Sequence, residues 1–249
     1  MSRTNKKQVI MVFMIVLFFS NLIHAMTAED IIRAMDQNEN YATSYMTGSI
    51  ATTDRFGEKI TTFKAWSQGA YDSLIEFTSL AERGQKILRN KGELYLYYPD
   101  AEELIRLQGA ALRQSVLGSD LSYEDMTGEK NTLDMYTVSF DNEDIVHNQA
   151  CYVLTLTAKS RTVAYPVQKI WVDKETYIVH KGQYSSATGR LLKEFEVLET
   201  KVIDNRTIPV KTKISDILKK DSYTVMAIEE LQIDIPLDAN IFTLQSLMW

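Results

Sequence analysis

Two periods divide this chain. Between Thr27 and Glu39 apolar residues recur at helical spacing, and from Tyr41 onward apolar and polar positions mostly alternate one by one, as in a strand with one buried and one solvated face. Thr27 and Asp30 form a capping-box-like pair ahead of Ile31, Ile32 and Met35, which predicts a helix there. Alternating runs at 44–53, 59–67, 70–78, 85–90 and 93–98 predict strands. Asp54-Arg55-Phe56-Gly57, Asn90-Lys91-Gly92 and Pro99-Asp100 supply the residues that tight turns between them require, so these strands form an antiparallel meander. Strand character stops between Gln108 and Glu129: residues 109–118 read as a short helix and 119–126 as an ordered loop. A stretch of that length inside a sheet protein is usually a covering or functional segment. Strands resume at 133–140, 150–158, 166–173, 177–185, 190–203, 207–216 and 222–233, and the tail from Leu237 to Trp249 closes the chain.

Several strands separate their faces cleanly. Tyr71, Ile75 and Phe77 oppose Asp72 and Glu76, and Val210, Thr212 and Ile214 oppose Lys211 and Lys213. Such alternation makes one broad apolar sheet face, which one helix and one short insertion must cover. Two outcomes stay open: an ordinary filled core, or a curved sheet whose concave face holds a ligand. No Pro- or Gly-rich linker and no fixed-period repeat divides the chain, so a single domain from residue 26 to 249 is expected.

Composition narrows the function. The 249 residues are 45% hydrophobic and 24% charged, enough to bury a core, and a net charge of −6 without a basic stripe argues against nucleic acid as a partner. Residues 1–25 read as an export signal: Arg3, Lys6 and Lys7, an apolar run from Val9 to Phe19, and Ile23-His24-Ala25 at the end. The run is roughly a dozen residues against the ~20 needed to cross a bilayer, so cleavage after Ala25 is expected. Cys151 is the only cysteine; it excludes an internal disulfide and lipid attachment at the export site, and its place in an alternating run predicts a buried strand residue.

Catalytic signatures are missing. The chain has no Gly-x-Ser-x-Gly elbow, His-Glu-x-x-His, phosphate-binding glycine loop or Cys-x-x-Cys. His147 and His180 stand alone, and the acidic groups at 141–144 and 102–103 lack the spacing of a calcium loop. A non-enzyme without metal or cofactor is the expectation. Aromatic residues at strand positions, among them Trp66, Tyr95, Tyr97 and Tyr184, suit the lining of an apolar ligand cavity.

Four strings go beyond composition: Phe77-Thr78-Ser79-Leu80-Ala81-Glu82-Arg83-Gly84-Gln85-Lys86-Ile87-Leu88, Leu94-Tyr95-Leu96-Tyr97-Tyr98-Pro99-Asp100-Ala101, Leu112-Arg113-Gln114-Ser115, and Gly118-Ser119-Asp120-Leu121-Ser122-Tyr123-Glu124-Asp125-Met126. Together they resemble the outer membrane lipoprotein-sorting protein family, which is similar to the periplasmic lipoprotein carrier LolA. The resemblance implies a mainly β fold with short helices: a strongly curved antiparallel sheet, an incomplete barrel of the LolA/LolB type, covered by helices. It further implies a soluble periplasmic carrier that binds acyl chains of lipoproteins or other lipids and moves them between envelope membranes, with an inner-membrane transporter and an outer-membrane acceptor as partners. A lipid-responsive envelope sensor is the alternative.

On that reading the apolar cavity is lined in part by Tyr71, Ile75, Phe77, Leu94, Leu96 and Trp171. The lid or plug is the 108–126 insertion, where Leu112, Val116 and Leu117 dip into the cup and Arg113, Asp120, Tyr123 and Asp125 tie it to the rim. In LolA-like carriers an arginine inside the cup couples occupancy to lid closure; Arg83 is the candidate here, with Arg106 and Arg113 behind it.

Overall fold

Thr27 caps the first helix, α1 (Ala28–Glu39), through the capping box with Asp30, and Ile31, Ile32 and Met35 bury the face beneath. The computed structural model describes residues 26–128, 131–238 and 240–248; the export signal read at residues 1–25 lies outside them. Within those residues thirteen strands form one sheet: β1 (Thr43–Asp54), β2 (Gly57–Gln68), β3 (Asp72–Phe77), β4 (Lys86–Asn90), β5 (Glu93–Tyr98), β6 (Glu103–Leu107), β7 (Tyr136–Val146), β8 (Gln149–Ala158), β9 (Val167–Asp173), β10 (Val179–Ser185), β11 (Leu191–Ile203), β12 (Arg206–Asp216) and β13 (Tyr223–Ile233). Their order is β6-β5-β4-β3-β2-β1-β13-β12-β11-β10-β9-β8-β7. Two meanders therefore meet at the β1–β13 seam, all neighbours are antiparallel, and the curved sheet stays open with β6 and β7 as its edges. No helix among the described residues is long and apolar enough to cross a membrane.

Register decides which side chains face inward. Ala65 lies opposite Ile75, Ile75 opposite Ile87 and Ile87 opposite Leu96, so these share the concave face. That face continues across the seam through Ile50 and Ile214, with Phe63 and Phe77 in the same cluster. In the second meander it carries Leu154, Leu156, Ile170 and Val172, on which α1 lies. The opposite parity faces outward. Leu74 and Leu88 are covered by the C-terminal segment, where Phe242 and Leu247 are buried against them, and that segment ends in a short helix, α4 (Leu244–Leu247). Farther round the outer face Cys151 and Val153 pack with Trp171, and burial first, then the Asp173 charge, pushes the Cys151 thiol up to about 11.

Two glycines let aromatic rings lie flat on the inner surface. A Cβ on Gly48 would sit 2.3 Å from the Ala227 carbonyl oxygen and 2.9 Å from the Phe63 ring, and one on Gly182 would sit 2.1 Å from the Phe195 ring. Both glycines occupy positions where a side chain would hold the sheet away from its own aromatic lining.

Three segments differ from the pattern reading. Strand β6 was not foreseen. Residues 133–135 belong to a helical turn, α3 (Thr132–Met135), and β7 runs on through Asp141–Asp144 to Val146. The 109–118 helix reduces to a 3₁₀ turn at Gly109–Arg113. β7 is exposed over most of its length and hydrogen-bonds on one side only, so no buried face imposes alternation on it.

Candidate functional site

The insertion is shaped by its own local bonds as well as by its contacts with the sheet. Ser115 and Ser122 form an isolated antiparallel bridge, and the Val116 N–H donates to the Leu121 carbonyl at 2.8 Å. Ser122 and Asp125 then make a capping box that starts α2 (Tyr123–Thr127). This arrangement drives Val116, Leu121 and Tyr123 into the concave cluster beside Ile75, Phe77 and Leu96, with Leu112, Leu117 and Met126 packed partly against it. Burial, followed by the neighbouring Tyr98, raises the Tyr123 phenol well above its ordinary range. Asp120, 1% exposed, accepts from Ser222 Oγ at 2.8 Å and Thr224 Oγ1 at 2.9 Å, and Lys219 Nζ donates to the Gly118 and Ser119 carbonyls. The insertion is thus packed into the concave cluster, the place expected of a plug. Of its predicted residues, Val116, Tyr123 and Asp120 are buried in it, Leu112 and Leu117 half-buried, and Arg113 exposed.

Two buried cations grip α2 from opposite halves of the sheet. Arg89 on β4, 5% exposed, donates from Nη1 to the Thr127 carbonyl at 2.8 Å and lies 3.5 Å from the Glu124 carboxylate. Lys193 on β11 pairs through Nζ with Asp125 Oδ2 and stands 5.6 Å over the Tyr165 ring. Tyr165 donates its hydroxyl to Asp125 Oδ1 at 2.8 Å and stacks on Tyr184 at 4.7 Å between ring centres. A single turn carrying two adjacent carboxylates is held by a guanidinium on one side and an ammonium on the other.

Under the plug an apolar cavity of about 230 Å³ remains, lined by Met46, Ala65, Ile75, Leu121, Met126 and Met226 among others, with the Gly69–Ser73 hairpin at its mouth. Of the residues predicted from sequence, Ile75 lines it and Tyr71 stands at the mouth, 44% exposed, bonded to Asn131. Phe77, Leu94 and Leu96 lie in the same cluster but behind its wall.

Two candidates need correction. Trp171 sits on the outer face with Cys151 and Val153, donating from Nε1 to Asp144 at 3.0 Å, because its neighbour Ile170 takes the inward position opposite Leu154. Arg83 is exposed in the turn between β3 and β4 and does not enter the cup; Arg106 pairs with Glu93 at the sheet edge. The position expected of an inward arginine is taken by Arg89, which sequence reasoning missed along with Lys193. The available signal was parity: Arg89 shares the face of Ile87, and Lys193 that of Phe195 and Val197.

Among the described residues no group of three or more His, Cys, Asp or Glu converges to hold a metal. Asp173 and His180 form a buried pair at 3.0 Å on the outer face, remote from the plug.

A family model described as "-like: Uncharacterized protein" matches residues 69–249. No curated protein matches the chain. Three solved structures superpose over nearly the whole described chain. A DUF1329 family protein from Desulfovibrio piger gives a TM-score of 0.82 at 24% identity, covering 88% of this chain and 97% of that one. An outer membrane lipoprotein-sorting protein domain from Vibrio parahaemolyticus, described as putative, gives 0.80 at 19%, covering 90% and 98%. A LolA superfamily protein from Nitrosomonas europaea gives 0.76 at 25%, covering 89% and 100%.

Proposed function

We propose, for a chain matched by its family model over residues 69–249 and sharing its fold with a LolA superfamily protein, that it is a soluble periplasmic carrier that takes acyl chains of a lipoprotein or other lipid into its concave face. The observation that carries the reading is the plug: a self-contained segment whose apolar residues fill the cup, held at its rim by polar and ionic contacts and not by sheet hydrogen bonds.

Burial arithmetic makes the exchange workable. An acyl chain of roughly 16 carbons gains about 13 kcal/mol when its methylenes leave water, at ~0.8 kcal/mol each. The plug commits Val116, Leu121 and Tyr123 fully and Leu112, Leu117 and Met126 in part to the same surface. At about 1.5–3 kcal/mol per fully buried side chain, their combined burial is also on the order of 10 kcal/mol. Replacing plug by acyl chain is therefore close to isoenergetic, so a small difference in affinity at a donor or acceptor membrane sets the direction of transfer. The cavity of about 230 Å³ is below the roughly 300–1,000 Å³ of pockets that enclose a drug-sized ligand. Loading a whole chain requires the plug to move.

Function on this reading is binding and release without covalent chemistry, with an inner-membrane transporter as donor and an outer-membrane acceptor as recipient. The test is native mass spectrometry with lipid extraction on protein purified from the periplasm, paired with uptake of a fluorescent fatty-acid probe. A reproducible acylated species, and uptake sharply reduced in a folded Ile75→Glu variant, are expected. Lipid-free protein with no uptake of the probe would overturn the reading.

A further inference from the structure

Two neighbouring turns present large apolar side chains to solvent. Phe56, 81% exposed, stands at the β1–β2 turn, and Ile217 and Leu218, 45% and 54% exposed, stand in the loop between β12 and β13. Register brings these tips together: Thr53 pairs with Tyr223 across the β1–β13 seam, so both turns leave the sheet side by side at one rim. Amphipathic groups lie beside and behind them. Arg55 places its guanidinium 4.6 Å from the centre of the Phe56 ring, and Lys213 places its ammonium 4.7 Å from that of Tyr223, which is level with Thr53. Two carboxylates of the tips are taken up by their own turns: Asp54 accepts from the Phe56 N–H at 2.7 Å and Asp216 from the Leu218 N–H at 2.9 Å. Apolar tips, followed by a tyrosine and long cations, reproduce the depth order of a phospholipid interface, where aromatic rings and cationic heads sit at headgroup level. That order favours a bilayer over a protein as the occupant of the patch.

The same β12–β13 loop latches the insertion. Lys219 Nζ donates to the Gly118 carbonyl at 3.1 Å and to the Ser119 carbonyl, and it stands 4.0 Å from Asp120 Oδ1. Asp120 keeps donors from Ser222, Thr224 and the Asp216 N–H whether or not Lys219 stays, so withdrawing the lysine leaves no bare carboxylate. An ammonium held chiefly by neutral carbonyls finds a stronger acceptor in a phosphate, because that hydrogen bond is charge-assisted on both sides. We propose, building on the carrier reading above, that this rim docks on a phospholipid surface: Phe56, Ile217 and Leu218 enter the acyl region, and Lys219 exchanges the insertion's carbonyls for lipid phosphate. One loop then couples membrane contact to loosening of the plug. The cup opens where cargo is to be exchanged and stays closed in water.

Flotation of the purified protein with vesicles of phosphatidylethanolamine and phosphatidylglycerol tests the docking. The protein should float with the vesicles, and Phe56→Ser combined with Leu218→Ser should lower its partition coefficient at least about tenfold, equivalent to ~1.4 kcal/mol. Val202→Ser removes a side chain 72% exposed near the β11–β12 turn, at the opposite rim, and should leave partition unchanged. Hydrogen exchange reads the latch. On vesicles the amides of Ser119 and Asp120, which donate to the Val116 carbonyl and to Thr224 Oγ1, should exchange at least about tenfold faster, with those of β2–β5 unchanged. Lys219→Met should still float, exchange fast at these amides without vesicles, and gain nothing further from them. Absence of flotation, flotation insensitive to the double variant, or flotation with unaltered exchange in the insertion each overturns the proposal. A dimer in light scattering that the double variant abolishes, without flotation, assigns the patch to a second copy of the chain and overturns it too. Uptake of the fluorescent fatty-acid probe without vesicles reads the carrier function separately: uptake without flotation sinks the docking alone, and flotation without uptake sinks the carrier reading alone.

Discussion

Replacing Lys193 by methionine should free the plug before it weakens the sheet. The Lys193 and Asp125 side chains are 7% and 11% exposed, so the pair is buried. Removing one partner of such a pair typically costs about 3–5 kcal/mol, because the remaining charge stays dehydrated and unpaired. Against a whole-protein stability on the order of 5–15 kcal/mol, that loss would be severe if the sheet had to bear it. The plug offers an escape: lifting α2 returns Asp125 to water without breaking any strand pairing, so the cost falls on local opening. A penalty of ~3 kcal/mol corresponds to roughly a hundredfold shift in the opening equilibrium. In hydrogen exchange the amides of Val116, Ser119 and Met126, bonded within the plug, should exchange about a hundredfold faster in Lys193→Met, and those in β2–β5 should change little. Adding Asp125→Asn, which keeps an acceptor for the Ser122 N–H, should restore much of the protection. Equal acceleration in plug and sheet, or none in the plug, would refute the independence on which the carrier reading depends.

Gly182→Ala brings a methyl to 2.1 Å from the Phe195 ring; overpacking of this kind costs about 1–3 kcal/mol, and chemical denaturation should show Phe195→Leu in the same chain recovering most of it. Phe242→Ala empties a site 4% exposed over Leu74 and Leu88 and should lower stability by about 3–5 kcal/mol; a change under ~1 kcal/mol would show that the C-terminal segment is not seated there. Burial works against ionised Asp173, but bonds from the Thr176 N–H, His180 and the Glu175 N–H outweigh it and hold its pKa below the usual value. A depressed carboxylate stabilises above the unfolded value of about 3.9 and loses that contribution as pH falls through the folded one. Asp173→Asn should therefore be less stable than wild type at pH 7, with the gap closing below about pH 4 in urea midpoints measured against pH; a gap constant across that window would remove Asp173 from the acid response.

Alternation made the sheet legible wherever one face is buried and the other wet, as in Val210, Thr212 and Ile214 against Lys211 and Lys213. It failed at Ile170-Trp171-Val172, where both faces are buried: α1 covers one and the outer cluster the other, so consecutive apolar residues carry no parity. The plug was visible because it interrupts strand character, and its buried Val116 and Tyr123 follow from its short-range turns. Its clasp was not visible. Arg89 and Lys193 are polar letters at inward positions, and their partners lie 35 and 68 residues away along the chain, joined only by the curvature of the finished sheet. Buried charge satisfied by a remote partner leaves no local pattern to read.

The plug also occupies a particular place in the chain: it lies between β6 and β7, the two free edges of the open sheet. The connection between the meanders therefore runs as a strap from one rim of the cup to the other. When it is displaced it stays anchored at both ends, so its return is an intramolecular event with an effective concentration that, for short flexible linkers, lies in the millimolar range. On the proposed carrier reading, cargo would compete against a fixed quantity of plug that no dilution can remove. On the same reading, an emptied cup would reseal by the protein's own chain, at a rate independent of protein concentration.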